Sequence, residues 1–200
     1  MMSNSASDGS SFNMHGWVFI GISGVTNGGK THLTKYLMQR FPGSVVIHQD
    51  TFFRDENDPN HEMVPELKHA NWEAMSSIDW DKLLDAINTM AGQPPTGTPL
   101  FLVDGHLIFN HPKLVRLFRR KYFFTLTKEE CYRRRLCRTY EPPDPPGYYD
   151  LIVWPMYLKN KEEMEKDVIY LDGMRCQEDT HKVVGDELQQ LLTQLRCEEC

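Results

Sequence analysis

The sequence predicts an α/β fold: a central parallel sheet of about five strands flanked by helices, with an arginine- and proline-rich lid over one edge. Three observations predict it. Short apolar runs alternate with helix-patterned segments along the chain. A G-x-x-x-x-G-K-T octet joins the first run to the first helix pattern, and a cluster of four arginines leads directly into four prolines between residues 133 and 146. Alternation of this kind is the signature of βαβ units, whose right-handed crossovers place every strand's C-terminal end on one edge of the sheet.

Residues 17–22 (WVFIGI) read as the first strand. Behind it stand Gly24, Val25, Thr26, Asn27, Gly28, Gly29, Lys30 and Thr31, then a helix pattern with Leu33, Tyr36, Leu37 and Phe41 at helical spacing and Pro42-Gly43 as its stop. Strand, glycine loop and helix together form the context a phosphate loop requires. The glycines let backbone N–H groups turn inward on the phosphates, Lys30 reaches the outer phosphates, and the Thr31 hydroxyl is placed for Mg²⁺. A bare glycine turn would not need the lysine and the threonine.

Residues 44–48, 100–103, 122–126 and 168–171 read as further strands, apolar along their whole length as a sheet covered on both faces demands. Asp79 is positioned as the N-cap of a helix opening at Trp80, which Gly92 and Pro94-Pro95 close. Another helix begins near Lys128 and carries Arg133, Arg134, Arg135 and Arg138, and Pro142, Pro143, Pro145 and Pro146 interrupt it, leaving residues 141–147 as a stiff loop. A new helix starts at Tyr148, bent or begun by Pro155, and the last spans roughly residues 179–196.

With 200 residues and 40% apolar content, one core and one domain over residues 17–196 are expected. Residues 1–16 lack both an apolar run and any Lys or Arg, so a disordered tail is expected there and no signal peptide. Residues 197–200 (CEEC) are expected to fray. The five cysteines form no disulfide framework or zinc spacing, which fits a reducing compartment, cytoplasmic or nuclear. A net charge of −6 argues against nucleic acid or an anionic membrane as partner. Small molecules remain, and a monomer that acts on them.

Two carboxylates close apolar strands. Asp50 follows VVIHQ at the tip of the second strand, where a base that orients an acceptor hydroxyl would stand, with capping of the next turn as the other account. Asp104 ends LFLVD in the arrangement that holds Mg²⁺ directly or through water. The arginine cluster and the stiff loop read as a lid supplying cationic contacts to a triphosphate, though P-x-x-P also suits a docking role in a non-catalytic interaction protein. Trp72 and Glu73, in a 51–78 insertion, suit a flat cationic base and a sugar, with core packing as the other account of the tryptophan.

The chain resembles the nicotinamide riboside kinases, a family of P-loop nucleoside kinases. The resemblance rests on residues 21–31 (GISGVTNGGKT), 46–53 (VIHQDTFF), 122–126, the RRRLCRTY run from 133, PPDPPGYYD from 142, VWPMY from 153 and VIYLDG from 168, so it spans nearly everything after residue 17. It implies ATP-dependent phosphorylation of the 5′-hydroxyl of nicotinamide riboside, and of nicotinic acid riboside, on a route to NAD. A uridine-type kinase on the same fold is the neighbouring alternative.

Position by position, the resemblance implies Asp50 as base and metal ligand, Thr31 as a second ligand, and Asp50, Thr51, Phe52 and Phe53 as part of the substrate wall. Trp72 and Tyr140 would sandwich the pyridinium, Glu73 and Arg135 would hold the ribose, and Glu141 and Asp144 would lie nearby. His32, Arg134, Arg138, Thr139, Arg175, Cys176 and Gln177 would contact ATP. Glu73 stands where the family usually has Asp, Asp104 where it has Glu, and His32 where it has a small residue.

Overall fold

The computed structural model describes residues 15–198, so Cys200 and residues 1–14 of the expected tail lie outside the described residues. In chain order the elements are β1 (Val18–Gly24), α1 (Lys30–Arg40), β2 (Val45–His48), β3 (Met63–Val64), β4 (His69–Ala70), α2 (Trp80–Ala91), β5 (Leu100–Asp104), α3 (Pro112–Val115), β6 (Arg120–Thr125), α4 (Lys128–Arg135), α5 (Trp154–Glu163), β7 (Ile169–Asp172) and α6 (Gln177–Glu198). Five strands make one sheet in the order β2-β5-β1-β6-β7, every pair parallel, as the apolar runs predict. β3 and β4 form a separate antiparallel pair inside the 51–78 insertion.

Period-two alternation divides each central strand between two cores. Phe19, Phe101, Val103 and Phe123 join α2 residues Leu83, Leu84 and Ile87 on one face. Ile20, Ile22, Leu100, Leu102, Tyr122 and Phe124 meet α1 and α6 through Leu33, Leu37, Val184, Leu188 and Leu191 on the other. A third cluster, Val25, Leu126, Cys131, Tyr148, Tyr149 and Val153, seats the insertion against α4 and the segment before α5, with Trp72 packed on its margin.

Helix boundaries follow local chemistry. Asp79 caps α2 by accepting from the Lys82 N–H (3.2 Å), and Thr127 caps α4 by accepting from Glu130 N–H (3.3 Å), each worth about 1 kcal/mol. α4 stops at Arg135, short of the prolines, so Arg138 lies beyond the helix and not on it as its spacing predicts. Pro155 is the second residue of α5 and follows directly on a π turn over Tyr149–Val153, so its missing N–H falls where the helix changes its hydrogen-bond spacing. α6 begins two residues earlier than expected and runs on to Glu198, which makes Cys197 helical.

Candidate active site

Parallel pairing brings Gly24, His48, Asp104, Thr125 and Asp172 to one edge of the sheet, since Ile22 and His48 both register with Asp104, Gly24 with Phe124, and Thr125 with Asp172. The phosphate loop leaves β1 at that edge. Gly24 (φ 126°), Asn27 (φ 58°) and Gly29 (φ 116°) all take left-handed backbone, and a Cβ on Gly24 would collide with the Phe124 backbone. The loop's curl therefore needs glycine at its first position.

Lys30 opens α1, and its ammonium donates to the Gly24 and Val25 carbonyls at 3.0 Å each, folded over the loop it would serve. Burial lowers its pKa, opposed by the carboxylates of Asp50, Asp104 and Glu73, which all face it. Three carboxylates drawn from separate parts of the chain thus act electrostatically on one cation. Thr31 is exposed at the start of α1, and Asp50 is exposed in the short 3₁₀ turn Gln49–Phe52 beyond β2.

Asp104 is almost fully buried, and burial raises its pKa in spite of the neighbouring His48. Its Oδ1 lies 2.8 Å from His48 Nδ1, and its Oδ2 accepts from the Thr34 hydroxyl at 3.2 Å. Both oxygens are engaged. The exposed Thr31 hydroxyl and Asp50 carboxylate are hard oxygen donors beside a phosphate loop, a set that fits Mg²⁺, which keeps several waters and takes the rest of its ligands from phosphates. Asp104 fits that ion through water more readily than by direct contact.

The arginines divide their work in a way that spacing alone does not show. Arg133 points outward onto Glu130 (2.7 Å), and Arg134 is held by Glu130 (2.6 Å) while donating to the Asn27 carbonyl (3.1 Å) and the Gly173 carbonyl (2.9 Å). Arg135 is buried and bidentate on Asp144 (2.6 and 3.0 Å), its remaining Nη1 turned toward Thr26 and Glu73. Arg138 is exposed and donates to Asn27 Oδ1 at 3.2 Å. Three of the four therefore touch the phosphate-loop surroundings.

Tyr140 joins them. Asn27 Nδ2 donates to its hydroxyl at 3.1 Å, and the Arg135 guanidinium lies 4.1 Å from its ring centre. Trp72 does not stack on Tyr140: it meets Phe53 edge to face at 5.5 Å and His61 at 4.5 Å. Phe52 packs on the first core, so Phe53 alone of that pair turns to the aromatic wall. Thr51 is exposed and spends its hydroxyl on the His48 carbonyl, and Thr139 and Glu141 are exposed in the loop after α4.

Two cavities flank the phosphate loop. One, a shallow cleft open to solvent, is lined by Gly28, Gly29, Asp172, Gly173, Arg175 and His181, with Gln177 and Thr180. The other, a narrow cleft, lies between the start of the loop and Glu73, lined also by His106, Asn110, Tyr157, Asn160 and Lys161. His32 and Cys176 are exposed and line neither.

Sequence reasoning missed Asn160, whose amide donates to the Glu73 carbonyl (3.0 Å) and so fixes the insertion to α5. It also passed over Glu130, although a carboxylate four residues before Arg134 on a helix was a readable signal.

Comparison with known proteins follows the same lines. The family described as AAA domain matches residues 20–166. The chain is 40% identical to nicotinamide riboside kinase 1 of Rattus norvegicus, covering 86% of this chain and 94% of the rat protein. It is 38% identical to nicotinamide riboside kinase 1 of Homo sapiens, covering 89% and 95%. A uridine kinase of Streptococcus thermophilus is 23% identical, covering 78% and 87%. Among solved structures, a gluconokinase from Sinorhizobium meliloti 1021 superposes with TM-score 0.56 at 14% identity, covering 92% of this chain and 98% of its own, which concerns the fold alone.

Proposed function

The chain belongs to the nicotinamide riboside kinase family, and we propose that it transfers the γ-phosphoryl group of ATP to the 5′-hydroxyl of nicotinamide riboside, with nicotinic acid riboside as a second substrate, in NAD salvage. The observation that carries this reading is the phosphate loop itself, where Lys30 folds over the Gly24 and Val25 carbonyls at the same sheet edge as Asp104. The lysine would leave the loop carbonyls for the outer phosphates as ATP enters. The helix N-terminus and the inward amides of residues 24–29 would hold the triphosphate, and Arg134 and Arg138 would add positive charge over it.

In the transfer, the riboside's 5′-oxygen forms a bond to the γ-phosphorus as the bond from that phosphorus to the β–γ bridging oxygen breaks, and ADP leaves. Asp50 orients the hydroxyl and takes its proton late, because a carboxylate is too weak a base to remove it beforehand. Thr31 and Asp50, with Asp104 behind a water, would hold Mg²⁺, which supplies charge neutralisation to the phosphates. Trp72 and Phe53 would meet one face of the pyridinium and Tyr140 the other, once the segment bearing Tyr140 shifts away from Arg135. Glu73 and the second N–H on Nη1 of Arg135 would hold the ribose.

Offering the purified protein nicotinamide riboside, nicotinic acid riboside and uridine with ATP, and following ADP release, tests the proposal. Turnover of the pyridine ribosides well above uridine is expected, and chelation of Mg²⁺ should stop it. Equal or faster turnover of uridine reverses the assignment in favour of the uridine kinase reading.

A further inference from the structure

We propose that His106 is a further acceptor-site residue, whose Nε2–H donates a hydrogen bond to one ribose hydroxyl while Glu73 accepts from the same hydroxyl. The proposal rests on the reading that the cavity beside Glu73 takes the riboside.

A chain of three groups sets the proton on this ring. The Leu107 backbone N–H can only donate, and it donates to Gln49 Oε1 at 3.0 Å. That fixes the orientation of the fully buried Gln49 amide, so its Nε2 faces His106 Nδ1 at 3.0 Å and is the donor there. Nδ1 is thereby an acceptor, and the proton of the neutral ring sits on Nε2.

That Nε2 is buried and has no hydrogen-bond partner. The Trp72 carbonyl, which accepts from the Ser77 hydroxyl at 3.0 Å, neighbours the ring without reaching hydrogen-bond geometry to Nε2. A buried donor without a partner is costly, so an unused one lining a cavity points to a ligand atom. The flanking distances point to the kind of atom. His106 Nε2 lies 3.7 Å from Glu73 Oε2, and Arg135 Nη1 lies 3.8 Å from Glu73 Oε1.

Both gaps exceed a hydrogen bond, yet each pairs a donor with an acceptor. A hydroxyl is a donor and an acceptor at once, so it can close such a gap by accepting from the nitrogen and donating to the carboxylate. Two gaps on the two oxygens of one carboxylate match the vicinal diol of a ribose. The Arg135 side takes one hydroxyl and the His106 side the other.

Kinetics on the full chain test this, with nicotinamide riboside and its 2′-deoxy and 3′-deoxy analogues as acceptors. His106→Phe should raise the KM for the riboside about ten-fold, with kcat and the KM for ATP within about two-fold, as expected for one lost hydrogen bond. His106→Gln, whose amide N–H reaches as far as the imidazole Nε2, should recover most of that loss. Wild type should lose affinity for the analogue lacking the hydroxyl that His106 contacts, and His106→Phe should lose clearly less on the same deletion, because only the Glu73 contact is then left to lose. An unchanged riboside KM in His106→Phe, or the same fold-loss on the riboside and both analogues, overturns the assignment. Should that variant fail to fold, wild type decides alone, because equal KM values for the riboside and both analogues also overturn it. No turnover of nicotinamide riboside by wild type sinks the function reading itself, and this proposal with it.

Discussion

At the residue scale, the chemistry depends on a few groups whose surroundings set their behaviour. Lys30 is half-buried over two carbonyls, and desolvation lowers its pKa while the charges of Asp50, Asp104 and Glu73 oppose that shift. Lys30→Ala and Asp50→Ala should each lower kcat/KM by at least about 1,000-fold in an ADP-release assay, because phosphoryl transfer has little besides positioning and charge to draw on. Retention of a tenth of wild-type activity by Asp50→Ala would remove it from the role of base. Lys30, Thr31 and Asp50 were legible because the octet and the strand-tip position each carry a mechanism. His106 could be read from the sequence as flanking the site but not given a role, because its neighbours Gln49 and Glu73 are 57 and 33 positions away in the chain.

At the level of elements, α4 illustrates how a helix can hold a side chain over a loop that belongs to another strand. Glu130 grips Arg133 and Arg134 together, and Arg134 spans Asn27 in the phosphate loop and Gly173 after β7. These two arginines lower the Glu130 pKa to about 2 from its usual 4.5. A carboxylate depressed in the folded state contributes stability that is present above its unfolded pKa and is lost as pH falls. The melting-temperature difference between wild type and Glu130→Gln should thus be present at pH 7 and narrow between about pH 4.5 and 2. At neutral pH the same variant should raise the KM for ATP several-fold with the riboside KM little changed, since Arg134 loses its anchor. A riboside KM that moved as much as that for ATP would show that α4 does not act on the nucleotide alone. The prolines predicted an end to this helix but not its place, because the chain leaves helical geometry at Arg135, several residues before steric exclusion by Pro142 forces it to.

For the whole molecule, the parallel sheet makes the site a property of the fold, since five strand ends converge on one edge and the two cavities open beside them. A nucleotide bridging the phosphate loop, α4 and the turn after β7 should stabilise the entire domain. At 100 times its Kd, Mg²⁺–ATP contributes about 2.7 kcal/mol, which for a chain of this size is a rise of roughly 5–10 °C in melting temperature. No rise at saturating nucleotide would count against the phosphate loop as a binding element. By itself the sequence determined the α/β class, the five strands and the phosphate loop, because period and glycine spacing are local facts about backbone and burial. It also placed Asp50 and Asp104, since a carboxylate ending an apolar run must sit at a strand tip. Only the tertiary structure decided that Arg135 locks onto Asp144, that Phe52 turns to the core while Phe53 faces Trp72, and that Glu73 sits between Arg135 and His106. Those contacts join segments far apart in the chain, and which donor meets which acceptor is settled by the crossovers and by burial, neither of which leaves a periodic trace among the residues concerned.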